Sequence, residues 1–172
     1  MRFSARAAFC LFLLGAAAAP VSAKDVSFSS DSSKLTFSLP DNWEAKPMKR
    51  GLEIKSSDGE VFLWIESYRK SEAEKIKAEH GKYFQSQGVA FTGEPKITAQ
   101  PAQGYGLAFM DMPATWKGKP TVLRYIFIEP ANAAKNSMML SYWASPEGDK
   151  ANDAAMGKLI ESLSQAVDKA MQ

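Results

Sequence analysis

What most limits how this chain can fold is a set of strand-like runs that are apolar on both faces. In residues 61–68, Val61, Leu63 and Ile65 point one way, and Phe62, Trp64 and Tyr68 the other. In 121–128, Leu123, Tyr125 and Phe127 oppose Val122, Ile126 and Ile128; in 104–112, Tyr105, Leu107 and Phe109 oppose Ala108, Met110 and Met112. A sheet with one wet face carries polar residues at every second position. These runs do not, so both faces of their sheet need cover.

Two segments of helical period can supply it. Ala73, Ile76, His80, Tyr83, Phe84 and Gln87 share one face of the first, with Ser71 and Glu74 read as its capping box and Gly88 as its stop. The motif SPEGD opens the second, where Ala155, Met156, Leu159, Ile160, Leu163, Val167 and Ala170 form a stripe. Further strands are expected at 35–39, 51–55, 94–99 and 137–144, and Asp58-Gly59 supplies the turn of a tight hairpin. Val26 and Phe28 alternate with serines in a Ser-rich segment, 24–33, and suggest a short edge strand. The order βββ-α-ββββ-α with short connections predicts an α+β fold. Its mainly antiparallel sheet has about six to seven strands, covered by helices on both faces as an α/β/α sandwich.

Residues 1–23 read as a cleavable signal peptide. Arg2 and Arg6 precede the apolar run 7–19, which is too short to span a bilayer, and Val21 and Ala23 occupy the small-residue positions before a cut. Cys10 sits inside the apolar run, which argues against a lipoprotein. Cleavage leaves a single expected domain, 34–172, preceded by the Ser-rich segment. The expected location is the periplasm, with secretion as the second choice. The leader holds two of the 21 basic residues and no acid, leaving 19 basic against 19 acidic residues. That balance disfavours nucleic acid as a partner. Cys10 is the one cysteine, so the mature chain has neither disulfides nor thiolate metal sites. No second segment is apolar enough for a transmembrane helix.

The strand ending Phe37-x-Leu39-Pro40-x-x-Trp43, followed by this order of elements and a last helix with KLIESL (158–163), resembles the PsbP-like superfamily. That group includes DcrB-related bacterial envelope proteins, the photosystem II extrinsic protein and Mog-type Ran-binding proteins. The resemblance spans roughly residues 26–168. It implies a sandwich used as a non-enzymatic binding or accessory module, here with another envelope protein as the expected partner and peripheral membrane contact as a further option. It carries over no site residues.

Chemistry is sparse. His80 has only Ile76, Lys77, Tyr83 and Phe84 within helical reach, so a structural histidine is favoured over a metal ligand or general base. Met110, Met112, Met138 and Met139 suit core packing better than Cu(I). No catalytic residue, metal or cofactor is assigned. An enzyme would need two of Glu53, Glu66, Asp111 and Glu129 to converge in one cleft. A small-ligand or metal carrier, using a cleft between sheet and helix, is the alternative to an interaction protein. The candidate protein-binding residues are Trp116, Lys117 and Lys119 at a hairpin tip, and Lys46, Lys49 and Arg50 in the loop after Trp43.

Overall fold

The computed structural model describes residues 22–30, 33–102, 105–132 and 135–170. The expected leader lies outside them except for its last two residues. Ten strands and two main helices follow in chain order: β1 (Ala23–Ser30), β2 (Ser33–Pro40), β3 (Glu44–Met48), β4 (Gly51–Lys55), β5 (Val61–Tyr68), α1 (Ala73–Ser86), β6 (Val89–Phe91), β7 (Lys96–Ala102), β8 (Tyr105–Trp116), β9 (Lys119–Pro130), β10 (Ser137–Ala144) and α2 (Pro146–Lys169). The main sheet has eight strands in the order β3-β4-β5-β10-β9-β8-β6, with β7 also paired to β8, while β1 and β2 form a separate hairpin. Every pairing is antiparallel.

The sheet has more than the six to seven strands expected, because β3 and β6 left little trace in the sequence. The expected 35–39 strand pairs with β1, outside the main sheet. The β3 stretch, EAKPM, lacks apolar alternation, and β6 is three residues long. The supposed loop carrying the basic cluster is therefore a strand and a turn. Lys46 lies on β3, and Lys49-Arg50 joins β3 to β4. The start of α1 also differs. A 3₁₀ turn, Lys70–Glu72, precedes it, and the Glu72 carboxylate accepts from the Arg69 N–H at 3.1 Å, in place of a Ser71–Glu74 box. Gly88, at φ +89°, does end the helix.

Two buried clusters match the strand phase read from the sequence. Val61, Leu63, Ile65, Ile126, Ile128, Leu140 and Tyr142 pack with Met156, Leu159, Leu163 and Val167 of α2, and with Leu35, Phe37 and Leu39 of β2. Trp64, Tyr68, Leu123, Tyr125, Met110 and Met139 pack with Ile76 and Phe84 of α1. The Leu39-Pro40-Asp41-Asn42-Trp43 stretch is a corner. The Trp43 N–H donates to Pro40 O at 3.0 Å, and the indole is buried in the first cluster beside Leu39. Lys24 Nζ ties the corner down by donating to Asp41 O at 2.8 Å and Trp43 O at 2.6 Å.

The start of α2 is anchored to the β4–β5 turn. Ser145 caps the helix, its Oγ accepting from the Gly148 N–H at 2.9 Å, while its own N–H donates to Glu60 O at 3.2 Å. Pro146, at the first helical turn, gives up no needed donor there. Ser145→Ala is expected to cost about 1 kcal/mol in urea denaturation, the usual effect of losing such a cap. A change within measurement error would show that the Glu60 anchor alone holds the helix end.

Candidate functional site

Trp116 and Lys119 are paired across the β8–β9 turn, whose two central residues, Lys117 and Gly118, both have positive φ (49° and 80°). This is the tight turn whose twist matches the flanking strands. Trp116 is 40% exposed, yet it is held in place. Its indole N–H donates to Gln87 O at 2.9 Å, and its ring stands at 82° to Trp143 with centroids 5.7 Å apart. The Lys117 ammonium lies over the Trp116 ring, 4.6 Å from its centroid. The expected hairpin-tip feature is therefore a rigid aromatic with a cation on it, not a mobile side chain.

Trp116 forms the rim of a cleft of about 530 Å³, where the β4–β5 turn, the β8–β9 turn and the start of α2 meet. Phe62, Trp143 and Pro120 give it apolar walls, and Glu60, Lys119 and Glu147 supply its charges. Phe62 and Trp143 are cross-strand partners in the β5–β10 register, with rings at 78° and centroids 6.3 Å apart. The Trp143 indole N–H donates to Thr121 Oγ1 at 2.9 Å. Behind the cleft the aromatic surface continues into the core, where Phe84 meets Trp143 at 5.8 Å and Trp64 meets Phe62 at 5.2 Å. Of these residues only Trp116 and Lys119 were selected from the sequence. Phe62 read there as one face of a covered strand and residue 143 only as part of the 137–144 strand, since nothing in a linear pattern says that two strand-end aromatics are left open.

The second basic group does not act as a cluster. Lys46 pairs with Glu44 at 3.5 Å, and Arg50 turns inward to Glu66 (Nε to Oε1, 2.8 Å) and Glu79 (Nη1 to Oε2, 3.1 Å). Among the described residues Lys49 has no ion-pair partner, so one free cation remains of the three.

Arg50 leads instead to a buried polar chain that the sequence did not announce. His80 Nε2 lies 2.6 Å from Glu66 Oε2, and His80 Nδ1 lies 2.7 Å from Ser141 Oγ. Two acceptors do not approach to that distance, so Nε2 carries the proton facing the carboxylate, and in the neutral ring Nδ1 accepts from the Ser141 hydroxyl. The Nε2–Oε2 approach is close but poorly aimed as a hydrogen bond, and neither atom has another partner among the described residues. Burial pushes the Glu66 carboxyl upward, but His80 and then Arg50 outweigh it and hold the group below its ordinary value. The imidazole stacks on Tyr125 (6.1 Å, 4° between planes) and lies against Trp64. Hydroxyl, imidazole and carboxylate in line would suit a serine nucleophile. Here Ser141 and Glu66 are 0% exposed and His80 3%, so the chain has no face open to a substrate.

The other carboxylates go separate ways. Glu53 pairs with Lys55, Asp111 with Arg124 and Glu129 with Lys70, and none of the four named in the sequence lines the cleft. Among the described residues no group of three or more His, Cys, Asp or Glu is placed to hold a metal ion. Met110 and Met139 fall in the cluster under α1 and Met138 in the other, so the Met138-Met139 pair is split between the two faces.

The eight-stranded antiparallel sheet with two helices is a PsbP-like α+β fold. The fold is similar to the solution structure of cyanobacterial PsbP (CyanoP) from Synechocystis sp. PCC 6803, with TM-score 0.55 and 9% identity over 87% of this chain and 96% of that one. A Pseudomonas aeruginosa protein of unknown function aligns at TM-score 0.41 and 14% identity, over 81% of this chain and 95% of that one. No family model matches the sequence, and no curated protein does.

Proposed function

We propose that this chain is an exported, non-enzymatic accessory protein that docks on an envelope partner through the cleft rim around Trp116. The observation that carries this reading is the half-open tryptophan held by its N–H to Gln87 O and by its contact with Trp143. A rigid, amphipathic aromatic loses little freedom on binding and is the type of side chain that dominates interfaces. Lys117 and Lys119 flank it and would complement acidic groups around its footprint. The PsbP-like fold supports an accessory role, and the two buried clusters support a sandwich with a helix on either face of the sheet. The apolar run before Ala23 supports export to the periplasm. Among the described residues no helix is long and apolar enough to cross a membrane.

The test is photo-crosslinking from residue 87, exposed beside Trp116, in intact envelopes, with mass spectrometry of the products. A recurring adduct, reduced at least severalfold by Trp116→Ala without a large change in melting temperature, is the expected result. Adducts that are indifferent to Trp116, or none at all, would remove the rim from consideration.

A further inference from the structure

The cleft beneath the rim has a more specific chemistry. Phe62 and Trp116 each meet Trp143 edge to face, at 78° and 82°, and all three rings line the cleft. The two indole N–H groups are both spent inside the protein, on Gln87 O and Thr121 Oγ1. The tryptophans therefore offer a ligand π surface and ring edges, and no donor. The two carboxylates beside them, Glu60 and Glu147, have no ion-pair partner among the described residues. Aromatic faces with free carboxylates attract cations, and they favour weakly hydrated, alkyl-substituted ones that fill apolar space. The protein already shows this attraction. Lys117 sits over Trp116 at 4.6 Å and Lys55 over Phe62 at 5.5 Å, so two of the three rings draw an ammonium group from the chain itself.

From this geometry we infer that the cleft is a binding site for a small organic cation of the alkylammonium class, quaternary ammonium above all. The volume of about 530 Å³ is within the range of small-molecule sites. Lys119, the one cation among the described residues that line the cleft, stands where it can meet an acidic group carried by the same ligand. The site shares Trp116 and Lys119 with the docking rim but does not rest on the docking reading, because the cleft can fill with no partner present.

Choline, followed by the protein's tryptophan fluorescence and by calorimetry, tests the inference against dimethylbutanol, the neutral isostere in which carbon replaces nitrogen. Choline is expected to bind saturably and severalfold more tightly than the isostere, the preference that cation–π attraction gives at a partly exposed site. The double variant Glu60→Gln, Glu147→Gln keeps side-chain shape and should erase most of that preference. Trp116→Leu should weaken choline more than the isostere. Sedimentation with phosphatidylcholine vesicles separates two sources of the same group. Pelleting assigns a lipid headgroup, and no pelleting alongside choline binding assigns the free compound. Equal affinity for choline and isostere, unchanged preference in the double variant, or no saturable binding of either compound would overturn the assignment.

Discussion

Glu66→Gln is expected to destabilise the folded protein by about 3 to 5 kcal/mol, read as a lower urea midpoint at unchanged slope. The size follows from where the charge sits. Glu66 is 0% exposed and faces His80 on one oxygen and Arg50 on the other. Removing the charge leaves the guanidinium of Arg50 and the ring of His80 partly desolvated, with no anion to repay it. Glu79→Gln is the control, because Glu79 touches the same Arg50 from a side that is 45% exposed and should matter by less than about 1 kcal/mol.

The same carboxylate gives the protein an acid limit. Glu66 titrates below its ordinary value of 4.5 in the folded state, so the folded chain binds that proton more weakly than the unfolded one. The stability it contributes is fully present above the unfolded value and drains away as pH falls through the folded one. The gap between wild type and Glu66→Gln should therefore be widest near neutral pH and narrow below about pH 4.5. A gap that stays constant down to about pH 3 would show that the ionised carboxylate contributes nothing.

Gly51→Ala should be comparably severe, at about 3 kcal/mol or more, the upper end for forcing an added methyl into packed structure. A Cβ at residue 51 would lie 1.9 Å from Ile65 O and 3.2 Å from Glu66 Cα, inside the β4–β5 pairing. No side-chain rotation relieves a clash with backbone, so the strands must part where Arg50 reaches Glu66. Gly157→Ala is the counterpart, since a Cβ at that position of α2 meets nothing within 4 Å and should stabilise by up to about 1 kcal/mol. Thermal melts of the pair test this, and similar shifts in both would refute the close approach.

Much of the fold could be read in advance wherever the pattern was local. The 51–55 strand matches β4 residue for residue, and Gly59, at φ +73°, lies in the expected β4–β5 turn, although the connection, 56–60, is longer than a two-residue hairpin. The α2 stripe lands with Met156, Leu159, Leu163 and Val167 buried. The two missed strands share one cause. β3 is a strand because β4 offers it partners, and β6 because β8 does; neither has the composition to declare itself. The site was legible only at Trp116 and Lys119. One signal was available and unused: Glu66 falls in phase with Trp64 and Tyr68 on an inward face, and a charge in that phase must have a buried partner.

The sequence by itself determined which side of each strand and helix faces inward, since burial repeats every two or 3.6 residues and needs no knowledge of neighbours. It also determined the turns, through Asp58-Gly59 and the Pro40 corner, because those depend on backbone preferences of adjacent residues. Only the tertiary structure decided which inward and rim residues meet. Glu66 of β5, His80 of α1 and Ser141 of β10 come together because β10 pairs with β5 and α1 packs over that face. Phe62, Trp116 and Trp143 come from three strands and enclose a cleft because strand order and register place their ends together. Periodicity sets a direction for each side chain, but contact between distant segments depends on pairing energies summed over the whole sheet.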